Sequence, residues 1–109
     1  MRKVVFISVL LVILLSNTAL GAEFTYKNIS YSKESYGAKF IGEITNNSGK
    51  GFKLANFVMS IYSGDNTLID VVYINISSFP NGQTKSFSTI SIKNLPKNIK
   101  YQIQFENGF

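Results

Sequence analysis

The side chains able to do chemistry are few and far apart in this chain. It has no His and no Cys, which removes the commonest general base, the usual nucleophile pairs and most transition-metal sites. Glu23, Glu34, Glu43, Asp65, Asp70 and Glu106 are scattered along it. Asp70 is the most suggestive of them, because it shares the phase of Val72 and Ile74, and a part-buried carboxylate can be a perturbed acid. The ordinary reading is a strand-end carboxylate satisfied by a backbone N–H. Ser30-Tyr31-Ser32-Lys33 has the Ser-x-x-Lys spacing of some acyl-transfer enzymes, but that spacing joins Ser and Lys only on a helical turn, and this segment alternates like a strand. Asp65-Asn66 beside Gly64 offers too few oxygens for Ca²⁺, which takes about six to eight. Gly49-Lys50-Gly51 lacks the glycine spacing of a phosphate loop, and no helical pattern follows it. No enzyme, cofactor or metal site is expected.

The charge balance points the same way. Lys and Arg number 11 against 6 acidic residues, a formal net charge of +5. Beyond residue 21 the basic residues are all lysines, and they are dispersed. A nucleic-acid site uses clustered basic residues with Arg forks, so no nucleic acid is expected and the lysines read as solvated strand faces and edges. Tyr26, Tyr31, Tyr62, Tyr73 and Tyr101 with nearby Lys leave one binding alternative open. A Tyr/Lys sheet face of that kind would suit a glycan or polyanion, although core packing is the commoner use of Tyr.

The chain opens with a leader. Met1-Arg2-Lys3 precede an apolar run from Val4 to Leu15 broken only by Ser8, and Ala19 and Gly21 supply small residues two apart. This reads as a signal peptide over residues 1–21, cleaved before Ala22. Left uncleaved, it would serve as an N-terminal anchor, the one membrane association expected. The domain over 22–109 is therefore read as exported, to the periplasm, the cell surface or the medium. Without disulfides it must be held by packing, for which eight Phe and six Tyr supply the apolar surface.

The elements follow from period-two alternation punctuated by turns. Phe24 and Tyr26, then Ile29 and Tyr31, alternate with a slip at Asn28 that predicts a bulge or break. Ala38, Phe40, Gly42 and Ile44 form one face of the next strand, and Gly42 is expected to make room for a bulky side chain of the facing sheet. After Asn46–Gly51 reverses the chain, Ala55, Phe57, Met59 and Ile61 form a core row, and Ser63–Asn66 closes a hairpin. Thr67–Ser77 is apolar on both faces, with Ile69, Val71 and Tyr73 opposite Val72, Ile74 and Ile76, and is expected to be a central strand. Ser78–Gln83, holding Pro80, Asn81 and Gly82, reads as a loop. Ser86–Ile92 and a last strand through Tyr101, Ile103 and Phe105 complete the set. The fold class is all-β: an antiparallel sandwich of six or seven strands, with a small closed barrel as the alternative. The aromatic-ended pattern through Phe109 also fits an outer-membrane strand, but a barrel of such strands leaves no residues for loops.

Three pieces of this pattern stand together: Gly42-Glu43-Ile44-Thr45-Asn46-Asn47, Met59-Ser60-Ile61-Tyr62-Ser63, and Pro80, Gly82 and Phe87. In them the segment from Ala38 to Ile92 resembles the FxLYD domain family of exported bacterial and archaeal proteins. Met59 stands for the motif's Phe, Ile61 for its Leu and Ser63 for its Asp, while Asn81 separates Pro80 from Gly82. The resemblance implies an immunoglobulin-like sandwich and carries no catalytic residues. The function expected is a non-enzymatic protein-interaction or structural module of the cell envelope or surface, its partner another envelope or surface protein. Asn46, Asn47, Lys50, Lys53, Phe79 and Asn81 are the expected contact residues.

Overall fold

A computed structural model describes residues 23–109, so the leader over 1–21 lies outside the described residues. Six strands follow one another: β1 (Phe24–Glu34), β2 (Gly37–Asn46), β3 (Phe52–Ser63), β4 (Leu68–Phe79), β5 (Thr84–Ser91) and β6 (Ile99–Gly108). They form two antiparallel three-stranded sheets, ordered β1-β2-β5 and β4-β3-β6. That order matches strands A-B-E and C′-C-F of an immunoglobulin-type sandwich.

The core lies between the inward rows of the two middle strands. Ala55, Phe57, Met59 and Ile61 of β3 are fully buried, as are Ala38, Phe40 and Ile44 of β2. Aromatic rings fill one end: Phe24 stacks on Phe105 with centroids 4.8 Å apart and meets Phe57 edge-on at 5.0 Å. Such contacts replace the cross-links that the cysteine-free sequence lacks. β1 is one strand with a bulge between Lys27 and Ser30, where Asn28 takes a φ of 55°. The slip expected at Asn28 is that bulge.

Four expectations need correction. β4 is an edge strand, since β3 alone is flanked on both sides in its sheet. The outward apolar row of β4 is left open, and Tyr73 is 59% exposed. Ile69 does not join that outward row: the ladder slips between Ile61 and Tyr62, which leaves Ile69 without an opposite residue and lets it pack on the core. β4 also runs further than expected, taking in Ser78 and Phe79. Finally, the bulky groups crowding Gly42 belong to its own sheet. A Cβ there would come within 2.8 Å of Ile29 and 2.9 Å of the ring of Phe87, its direct cross-strand partner. An aromatic ring on one strand covers the glycine of the next.

Candidate functional site

The residues of the two expected contact loops meet at one end of the sandwich, and Asn46 holds them there. It is the last residue of β2 and 0% exposed. Its Nδ2 donates to the carbonyl oxygens of Lys50 (2.9 Å) and Phe79 (3.0 Å), and its Oδ1 accepts from Ser48 N (2.9 Å) and Ser48 Oγ (2.7 Å). An amide side chain has two N–H donors and two lone pairs, and here all four are used. Asn46 also donates its backbone N–H to Gln83 O at 2.9 Å and accepts Gly82 N–H at 2.7 Å. One residue therefore joins the 46–51 connection to the 80–83 connection.

Asn81 adds a second tie, its Oδ1 accepting the N–H of Gly49 at 2.8 Å. Gly49 and Gly82 take φ values of 93° and 86°, the left-handed region in which glycine escapes the Cβ penalty. Asn47 donates its backbone N–H to Glu23 O at 2.7 Å, fixing the loop to the start of β1. Lys53 donates its own to Phe109 O at 2.6 Å. The surface so framed presents the exposed side chains of Asn47, Lys50, Lys53 and Asn81, with Phe109, 72% exposed, beside Lys53.

Two expected contact residues are not on that surface. Asn46 is buried because its amide is spent on the loop backbone. Phe79 is 0% exposed. It shares the outward phase of Ser77, but Ser78 takes a φ of 53° and turns the end of β4, so the ring enters the core 6.2 Å from that of Phe24. Phe109 is the residue that sequence reasoning did not place; its aromatic character suggested only a barrel strand.

The positions shared with the FxLYD pattern are structural. Met59 and Ile61 lie in the core, Tyr62 is half-buried on the outer face of β3, and Pro80–Gly82 forms the turn into β5. Phe87 is buried against Gly42. In comparisons with known proteins, no family model matches this chain, and no curated protein or solved structure matches it.

The remaining candidates resolve into structural roles. Asp70 accepts from Val71 N at 2.9 Å and from the buried Ser91 Oγ at 2.6 Å, linking β4 to β5 across the two sheets. Lys33 donates to Leu95 O at 2.8 Å. Ser30 stands three residues before it on an extended strand, so the two lie on opposite faces. Asp65 accepts from the Ser63 hydroxyl and, at 3.3 Å, from Thr67 N, and these bonds hold its carboxyl below the usual carboxylate range. Asn66 accepts from Lys100 Nζ at 2.8 Å, which leaves the Ser63–Asn66 turn engaged with its own neighbours.

The tyrosines do not form one surface. Tyr26, Tyr31 and Tyr101 pack against the core, while Tyr62 and Tyr73 lie on the outer face of the β4-β3-β6 sheet with the Ser60–Val71 pair between them. Burial raises the phenol of Tyr26 well above its ordinary value, and burial with a contribution from Tyr31 raises that of Tyr101. An open depression of about 270 Å³ on the outer face of the first sheet is lined by Ser30, Tyr31, Ser32, Glu34, Lys39 and Ile41.

Proposed function

We propose that this chain is a non-enzymatic exported β-sandwich that acts as a protein-interaction or structural module of the cell envelope or surface. Its contact surface is the two-loop end carrying Asn47, Lys50, Lys53 and Asn81. The supporting observation is the tie between the two loops through the fully satisfied amide of Asn46. Loops on a rigid frame are the usual carriers of binding in sandwich folds, since a preformed surface loses little entropy on contact. Membership of the FxLYD family is part of this proposal. It rests on the resemblance of Gly42–Asn47, Met59–Ser63 and Pro80, Gly82 and Phe87 to the family's pattern. The signal-peptide pattern read over residues 1–21 supports a place outside the cytoplasm.

Crosslinking in the native cells tests the reading, with mass spectrometry of the envelope fraction. Wild type should capture one recurring envelope protein, and Lys50→Glu/Lys53→Glu should lose it while the fold, followed by circular dichroism, stays intact. Retention on surface polysaccharide with no protein captured would overturn the reading in favour of glycan or polyanion binding.

A further inference from the structure

Among the described residues four strands lie at sheet edges: β1, β5, β4 and β6. Unpaired edges invite pairing with another chain, and proteins protect them with bulges, charges or neighbouring contacts. β4 and β5 run close together and are tied by Thr89 Oγ1 donating to Tyr73 O at 2.9 Å and by the Asp70–Ser91 bond. β1 is broken by its bulge at Asn28. The ladder of β6 with β3 is regular from Ile99 to Phe105, and no strand among the described residues pairs with the opposite edge of β6. It is the place a seventh strand takes in the complete sandwich. The inward row of β6, Tyr101, Ile103 and Phe105, is only half-buried, whereas the β3 row beside it is fully buried.

The sequence along that edge reads Lys100-Tyr101-Gln102-Ile103-Gln104-Phe105-Glu106. It is chemically symmetric about Ile103: Gln on either side, then an aromatic, then opposite charges. We propose that β6 pairs with β6 of a second copy, antiparallel, across a two-fold axis at Ile103. In that register Ile103 opposes its own mate, Gln102 opposes Gln104, Tyr101 opposes Phe105, and Lys100 opposes Glu106. A two-fold interface requires one patch to complement itself, and this stretch does so in side-chain size, polarity and charge. The pairing joins two three-stranded sheets into one of six strands and covers the half-exposed apolar row. Lys100 already gives one donor to Asn66, which leaves two on the ammonium for the mate's carboxylate. Glu106 is exposed, and the bulge between Asn56 and Phe57 leaves it without an opposite residue on β3. The interface uses none of the residues of the loop surface, so the two readings stand or fall separately.

The absence of cysteine makes the register directly testable. Residues opposite one another in an antiparallel pair have Cα atoms about 4.5–5.5 Å apart, within disulfide reach. Under mild oxidation of the chain purified from its native cells, Ile103→Cys should become a covalent dimer, and Tyr73→Cys, exposed but off this edge, should not. Sedimentation equilibrium supplies the second arm. Lys100→Glu places two like-charge pairs in the dimer and should weaken it roughly tenfold, and adding Glu106→Lys should restore it. A wild type that stays monomeric, an Ile103→Cys no more dimer-forming than Tyr73→Cys, or a charge swap that fails to restore association would each overturn the proposal. A monomer would leave the loop-contact function untouched.

Discussion

At the scale of single residues, Asn46 shows how a polar side chain can organise a surface from within. Burying an amide is costly unless every group is bonded, and its four bonds meet that condition. Removing it takes a donor from the carbonyls of Phe79 and Lys50, the latter keeping only the Ser48 hydroxyl, and an acceptor from the N–H of Ser48. Asn46→Ala should therefore cost about 2–3 kcal/mol in a denaturant melt. Asn46→Asp should be no milder, since a carboxylate has no N–H for the two carbonyls it would face. A loss within experimental error for either variant would show that the loops do not depend on this residue. None of this was legible in the sequence, where Asn-Asn-Ser-Gly reads as an exposed turn. The deciding partner, Phe79 O, lies 33 residues away.

Tyr26 gives a pH prediction at the same scale. Its phenol is raised by burial in the folded chain, so the native state favours the neutral form. The unfolded phenol ionises near pH ~10. Stability is complete below that value and is lost as pH rises above it, because the unfolded state then releases a proton that the native state retains. Denaturant midpoints followed from neutral into alkaline solution should fall more steeply for wild type than for Tyr26→Phe. Equal slopes would contradict the assignment to Tyr26.

At the scale of elements, alternation located the strands but could not order them. The inward rows of β2 and β3 stood out because the residues alternating with them along each strand are polar or half-exposed, and the turns at Ser63–Asn66 and Pro80–Gly82 carried their own residue chemistry. β4 misled because apolar residues on both faces are the mark of a central strand. In the folded chain its outer row is simply uncovered. The local departures at Ile69 and Ser78 were equally illegible: one bulged residue or one left-handed φ reverses every side chain beyond it, and neither needs a glycine or proline to announce it. Gly42 was legible as a space-maker, though the ring it accommodates lies beside it in the same sheet. Gly42→Ala should cost about 1–3 kcal/mol through overpacking against Phe87 and Ile29. The cost should shrink when Phe87→Leu is also present. Full additivity of the two in chemical denaturation would contradict the contact.

At the scale of the whole molecule, stability rests on one aromatic-rich core. Phe57 lies at its centre, fully buried and in ring contact with Phe24, Tyr26 and Phe105. Phe57→Ala should cost about 3–5 kcal/mol, a large share of the roughly 5–10 kcal/mol that holds a small domain folded. A loss under about 1 kcal/mol would mean that the β3 row does not pack as described. The sandwich and its core row were legible from alternation, because burial on one face is a local pattern. The proposed contact surface was legible only in part. Of its exposed members, Asn47, Lys50 and Asn81 follow from turn chemistry and Lys53 stands at the start of β3, whereas the network beneath them joins strands far apart in sequence.

The central claim is that the two loops form one preorganised surface rather than two independent turns. Residue-resolved amide hydrogen exchange tests it most directly. The amides of Asn46, Ser48, Gly49 and Gly82 donate to Gln83 O, Asn46 Oδ1, Asn81 Oδ1 and Asn46 O. All four should exchange as slowly as neighbouring strand amides in wild type, and Asn46→Ala should release them together. Rapid exchange at these amides in a folded wild-type protein would contradict the account, since the loops would then move independently and present no common surface.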